Sequence, residues 1–253
     1  MSLDLQGALI LFAVGAVAGV INTLAGGGSL LTLPVLIFLG LPAGVANGTN
    51  RVGILISNIG AVSSFRRHGK LETPWLRLAA LPSVLGALLG MWLALELGDA
   101  DLQRVLAIVM IVVAIWILWN PIPVPPDGSA PDPPAGVRRM LFMGGFFLVG
   151  IYGGFLQAGV GFLLLALIST AGIDMVRGAA LKVTLVLVFT PLTLVGFAMA
   201  GDVRWGVGLV LAAGNLLGAM LGVRLAIRKG SAWVRRFVVV LVVLFAVQLW
   251  LGA

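Results

Sequence analysis

The sequence predicts an all-α polytopic membrane protein, built as two inverted-topology repeats of about five helical elements each, with short or re-entrant helices at glycine breaks. Three observations carry this. Residues 5–50 contain no Lys, Arg, Asp or Glu, and neither do residues 140–173. A bilayer core of about 30 Å takes about 20 helical residues, so each run exceeds one span. Both runs are interrupted by glycine, at Gly26-Gly27-Gly28 and at Gly159 and Gly161. Paired, glycine-interrupted apolar segments in two halves point to a transporter's binding site. Finally, an ungapped shift of 132 residues lays Gly40, Gly69, Gly86, Gly90 and Gly98 on Gly172, Gly201, Gly218, Gly222 and Gly230, and Arg104 on Arg236. Coincidence among apolar residues is the competing reading of that register.

Composition agrees. The 253 residues are 60% hydrophobic and 10% charged, where a soluble domain carries about 25% charged residues. The net charge of +7 sits in short clusters between apolar spans, where it orients the chain rather than binding nucleic acid. The absence of cysteine excludes disulfides and thiolate chemistry. The start, Met-Ser-Leu-Asp-Leu-Gln, lacks a basic n-region, so no cleavage is expected. Continuous apolar stretches without period-two alternation argue against a β-barrel.

The first helix is expected from about Leu5 to Leu24, and a half-span from Ser29 to Leu39. Gly40-Leu41-Pro42 ends the half-span, and Pro42 suits the first turn of the next helix. That helix runs to about Phe65 and closes in Arg66-Arg67-His68-Gly69-Lys70. Pro74 opens a helix to about Leu95, Glu96 to Asp101 form an acidic turn, and Leu102 to Trp119 are the fifth element. The Pro-rich stretch 121–137 reads as an extended linker. It separates a first transmembrane repeat, 1–120, from a second, 138–253. The second repeat holds a helix to about Leu156, a short piece to Ala171, and helices near 175–199, 204–227 and 232–251.

Charge sets how the repeats face. The loop after the third element is basic in the first half (Arg66, Arg67, Lys70, Arg77) and near neutral in the second (Asp202, Arg204). The next loop is acidic in the first half, whereas Arg224, Arg228, Lys229, Arg235 and Arg236 flank it in the second. Cytoplasmic loops are rich in Lys and Arg, so equivalent loops lie on opposite sides. Arg66–Lys70, the linker and Arg228–Arg236 are expected in the cytoplasm, with both termini outside a cell (inner) membrane.

Polar residues within apolar spans are costly and face a cavity or a neighbouring helix. One group is Asn22, Thr23, Ser29, Asn47, Thr49, Asn50, Arg51, Ser57 and Asn58; the other is Gln157, Lys182, Thr184 and Thr190. Arg51 and Lys182, each seven or eight residues into its own helix, approach the midplane from opposite sides of the membrane. No Asp or Glu lies at comparable depth, so the substrate is expected to be the anion. Half-helices starting at Ser29 and near Phe162 would aim free N–H groups and positive dipole ends inward. The expected substrate-binding set is Gly27, Gly28, Ser29, Thr49, Asn50, Arg51, Gln157, Gly159, Gly161 and Lys182. Blander readings stand beside it. Lys182 could snorkel to the interface beside Arg177, and Arg51 could serve only to bond broken-helix carbonyls. Gly86, Gly90, Gly218 and Gly222 fit close helix packing, and Asn58 and Asn215 fit interhelical hydrogen bonding. His68 reads as solvated, and most Trp residues as interfacial anchors.

The stretch from Gly26 to Arg51, with its Gly-rich break, Pro34, Leu39-Gly-Leu-Pro42 and Gly48-Thr-Asn-Arg51, resembles the TauE/SafE sulfite exporter family. The second half is similar through Gly159, Gly161 and Lys182. It differs at Leu181-Lys182, where that family often has Thr-Lys, and at Phe189-Thr190, where Ser-Asn is common. The resemblance implies export or exchange of sulfite, an organosulfonate or a related sulfur-containing anion. The expected function is thus secondary transport of a small anion by alternating access, without cofactor or metal. A coupling proton or other ion, and a homo-oligomer, are compatible with it. The alternatives are an anion channel, or an assembly or partner-binding subunit without transport. An enzyme is not expected, since no nucleophile–base pair or His/Glu/Asp set lies at membrane depth.

Overall fold

The computed structural model describes residues 5–98, 101, 102, 104, 105, 108 and 128–252, with side chains to residue 229. The chain is all-helical over these residues. The first half holds α1 (Leu5–Leu24), α2 (Ser29–Phe38), α3 (Ala43–Arg67) and α4 (Thr73–Glu96). The second holds α5 (Gly136–Leu156), α6 (Val160–Thr170), α7 (Met175–Met199) and α8 (Trp205–Gly252). Among the described residues, five helices have stretches long and apolar enough to cross a membrane: α1, α4, α5, α7 and Trp205–Lys229 of α8. The expected fifth element, Leu102 to Trp119, lies largely outside the described residues.

The ends of the elements have local causes. Gly40, Gly69, Gly172 and Gly201 follow helix ends with φ of 89°, 63°, 84° and 84°, a left-handed conformation that favours glycine. They are two pairs under the 132-residue shift, which also carries α3 onto α7 residue for residue. Asp174 caps α7, its Oδ1 accepting from the N–H of Val176 (2.9 Å) and Arg177 (3.2 Å), which satisfies donors that have no intrahelical partner.

One expectation is corrected. The separate helices near 204–227 and 232–251 form one helix, α8, of 48 residues. Gly230 stays helical because one glycine costs about 1 kcal/mol relative to alanine without forcing a turn. In the Pro-rich stretch, Ser129 and Pro131 are held by hydrogen bonds to neighbouring elements. Trp75 Nε1 donates to Pro131 O (2.6 Å), Ser129 Oγ to Gly172 O (2.7 Å) and Asp174 N to Ser129 O (2.9 Å).

Contacts fix the directions of the helices. Thr49, near the start of α3, meets Arg204 at the start of α8. Glu72, just before α4, pairs with Arg177 at the start of α7. So α3 and α7 run antiparallel between two faces, named here for Thr49 and Glu72. Helix α1 runs parallel to α8, with Gly15 against Leu211 and Gly19 against Asn215 and Ala219. Likewise α4 runs parallel to α5, with Gly86 against Phe147 and Gly90 against Ile151. Helix α1 therefore enters from the Thr49 face and α2 returns toward it, while α5 and α6 make the same hairpin from the Glu72 face.

Packing follows from these directions. A Cβ on Gly86, Gly90, Gly214 or Gly218 would overlap a backbone oxygen of the facing helix. Small residues here let backbones touch, which is how helices associate where lipid is as apolar as the side chains. Outward faces carry Leu9, Leu81, Trp92, Leu148, Leu209 and Leu221, all exposed. Such a surface suits lipid, and it would be an aggregation liability in water.

The two kinds of glycine separate experimentally. Gly90→Ala is expected to lower the thermal midpoint in detergent strongly, because the α4 and α5 backbones must part. Gly69→Ala meets open space and should cost only about 1–2 kcal/mol, the left-handed penalty. Equal midpoints for the two variants would contradict the packing.

Candidate functional site

A helix that stops within an apolar slab leaves its last carbonyls without partners, and no lipid group can replace them. Helix α1 stops at Leu24 and α5 at Leu156. The cations singled out from the sequence meet this need crosswise. Lys182 of α7 donates from Nζ to Asn22 O (2.7 Å) and Thr23 O (2.9 Å), in the last turn of α1. Arg51 of α3 donates from Nη2 to Gly154 O (2.5 Å) and from Nη1 to Gly153 O (3.4 Å), in the last turn of α5. Asn47 adds Nδ2 to Phe155 O (2.8 Å). Each hairpin's descending helix is thus capped by the other half, with positive charge at the negative dipole end.

Both cations are enclosed. Lys182 is 1% exposed and Arg51 0%, so Lys182 points inward instead of snorkelling. Arg51 Nη1 also donates to Thr193 Oγ1 (2.8 Å), and its guanidinium lies over the Phe197 ring at 4.4 Å from the centroid. Its Nε is buried without a partner. Arg177, the neighbour expected to share Lys182's interface, instead pairs with Glu72 and Asp174.

The two glycine breaks touch. Gly161 N donates to Gly26 O (3.2 Å), and a Cβ on either residue would overlap the other's backbone. Gly26 (φ 93°) and Gly159 (φ 73°) turn the chain there. Gly27 lies against Phe162, whose ring a Cβ would overlap. Gln157 takes a left-handed conformation (φ 38°) and donates from Nε2 to Thr190 Oγ1 (2.8 Å).

Beside the start of α2 lies a narrow crevice with no room for a free water-sized sphere. Its polar lining is Asn22, Ser29, Thr32, Asn50 and Asn215, with Gly28 at its edge. Thr32 Oγ1 donates to Asn50 Oδ1 (2.7 Å), and Asn50 Nδ2 donates to Ser29 Oγ (3.0 Å).

Gly27, Gly28, Ser29 and Asn50 thus gather at the start of α2, and Arg51, Gln157, Gly159 and Gly161 around the end of α5. Lys182 sits at the end of α1. Thr49 lies apart from them: its Oγ1 accepts from Arg204 N (2.9 Å) at the Thr49 face. Thr32 and Asn215 are additions. Thr32 follows Ser29 by one helical turn, a spacing that places both on one face. Asn58 and Asn215 depart from the expected interhelical bonding, since Asn58 Nδ2 and Asn215 Oδ1 are buried without partners. Among the described residues no group of three His, Cys, Asp or Glu could hold a metal ion.

The family model described as "Sulfite exporter TauE/SafE" matches residues 11–249. A "Probable membrane transporter protein" of Haemophilus influenzae is 28% identical over 236 residues, covering 92% of this chain and 90% of its own. The "Probable membrane transporter protein YfcA" of Escherichia coli K12 is 29% identical over 241 residues, covering 95% of this chain and 88% of its own. No solved structure matches the chain.

Removing either cap should be felt in stability. Lys182→Met and Arg51→Met each leave two buried carbonyls unpaired, at about 1–3 kcal/mol per group. Both are expected to melt well below wild type in detergent. Exposed Arg66→Met should stay within about 0.5 kcal/mol. Wild-type melting of Lys182→Met would contradict the capping.

Proposed function

The chain belongs to the sulfite exporter TauE/SafE family, a family of membrane transporters, and from that premise we propose that it carries a small anion by alternating access of two inverted repeats. The observation that supports this most is the meeting of two hairpins from opposite faces, each ending beside a buried cation. The half-helices α2 and α6 begin at that meeting point, where the positive ends of their dipoles favour negative charge. Lys182 has a third N–H beyond its two carbonyl bonds, and Arg51 keeps Nε unspent, so both can add positive potential for an arriving anion. Gly27, Gly28, Ser29, Asn50, Gln157, Gly159 and Gly161 bring backbone and uncharged side chains to the same region. Thr49 acts at a distance, by holding the start of α8.

The anion we propose is sulfite, an organosulfonate or a related sulfur-containing anion. Such a group offers three acceptor oxygens, which suits donors converging from two half-helices. Dehydrating it is costly, and fixed charge and oriented dipoles replace its water. Rocking one hairpin with its capping helix against the other would expose the site to each face in turn. The Glu72 side carries Arg66, Arg67, Lys70, Arg138, Arg139, Arg228 and Lys229, so the Lys/Arg rule makes it cytoplasmic. Nothing in this reading requires catalysis.

Reconstituted proteoliposomes test it. Labelled sulfite and a sulfonate are expected to show saturable flux, with dependence on imposed ion or proton gradients reporting the coupling. Lys182→Gln should raise the apparent KM or stop flux. Non-saturating, uncoupled flux would make the protein a channel, and absence of flux for every anion would overturn transport.

A further inference from the structure

We propose that the crevice beside α2, closed to a water-sized sphere in this conformation, opens during the cycle to hold the oxyanion through uncharged donors of the first hairpin, α3 and α8, while Arg51 and Lys182 act from behind the backbone. This rests on the transport reading above and assigns its contacts. The side chains concerned are Asn22, Ser29, Thr32, Asn50 and Asn215.

Their hydrogen bonds leave donors to spare. Thr32 gives its hydrogen to Asn50 Oδ1, and Asn50 gives one amide hydrogen to Ser29 Oγ. Ser29 therefore keeps its own hydroxyl hydrogen, and Asn50 its second N–H. Asn215 is 4% exposed and lines the crevice, and its Oδ1 has no partner. An amide held there unsatisfied costs stability, and rotation about its last bond would offer the NH2 group instead. A Cβ on Gly28 would overlap Ala18 O and Asn22 Cβ, so the backbone at the start of α2 packs too closely for any side chain there. No carboxylate lines the crevice, so no fixed negative charge opposes an anion.

The duplication makes the site's one-sidedness informative. The 132-residue shift carries Asn22, Ser29, Thr32, Asn50 and Asn215 onto Gly154, Gly161, Leu164, Lys182 and Ser83. In the second half Gly154 is packed backbone-to-backbone on Ala87, and Gly150 on Ser83. Of the five crevice side chains, only Asn50 and Asn215 have polar side chains at their counterpart positions, Lys182 and Ser83. Uncharged donors also suit a transporter, because they bind an oxyanion by several directional bonds and release it without breaking an ion pair. A halide, with one centre, engages fewer of them.

Labelled-sulfite flux in proteoliposomes, read together with melting in detergent, tests the assignment. Ser29→Ala, Asn50→Leu and Asn215→Leu are each expected to raise KM about tenfold or more, the size of a lost hydrogen bond to a charged group. Asn215→Leu should do so with an unchanged or raised melting midpoint, since it removes an unsatisfied buried amide. Ser83→Ala, at the counterpart position, should keep the wild-type KM. Sulfonate should compete with sulfite, and chloride should not. Wild-type KM in all three variants, with wild-type protein transporting, would overturn the crevice and leave the transport reading standing. Competition by chloride as strong as by sulfonate would overturn its oxyanion selectivity. Absence of saturable flux in the wild type would instead overturn the transport reading itself.

Discussion

The unpaired carbonyls at the ends of α1 and α5 are the constraint on which the rest of this structure depends. Two helices stop within an apolar slab, and each must find donors there. Four of these carbonyls are met from the other half: Lys182 supplies Asn22 and Thr23 at the end of α1, and Arg51 supplies Gly153 and Gly154 at the end of α5. That exchange ties each hairpin to a long helix of the opposite repeat. It also explains how two cations can be buried with no carboxylate beside them, since carbonyl dipoles provide the negative counterpart.

The glycines follow from the same constraint. For the helix ends to reach those donors, the breaks must cross at contact, and Gly26 and Gly161 meet with no room for a side chain. Parallel pairs α1–α8 and α4–α5 then press backbone on backbone, which demands Gly86, Gly90, Gly214 and Gly218. Asn22, Ser29, Thr32, Asn50 and Asn215 gather beside the start of α2. The two halves therefore share a helical layout, with α3 falling on α7 under the 132-residue shift.

Much of this frame was legible in the sequence. The boundaries of α1 and α7 match the expected ones because Gly26 and Asp174 act locally, through backbone conformation and capping. The recurrent glycines at 40 and 172, and at 69 and 201, share one physical cause, a left-handed residue after a helix end. Direction around a helix was not legible. Thr49, Asn50 and Arg51 are consecutive, yet successive positions turn by about 100°, and they reach Arg204, Ser29 and Gly154 respectively. A sequence places all three at one depth and cannot say which face meets which neighbour. Asn215 was hidden for the same reason, its role set by α1 and α3 packing on α8. The docking of Pro131 on Trp75 was hidden too, because proline-rich composition speaks for extension and not for contact.

The central claim is that the two hairpins enter from opposite faces and are capped crosswise. Impermeant thiol labelling of single cysteines tests it directly, since the chain has none of its own. Cysteines replacing Pro42, after α2, and Ala200, after α7, should label from one side of sealed vesicles. Those replacing Thr170, at the end of α6, and His68, after α3, should label from the other. Labelling of Pro42→Cys and Thr170→Cys from the same side would contradict the account.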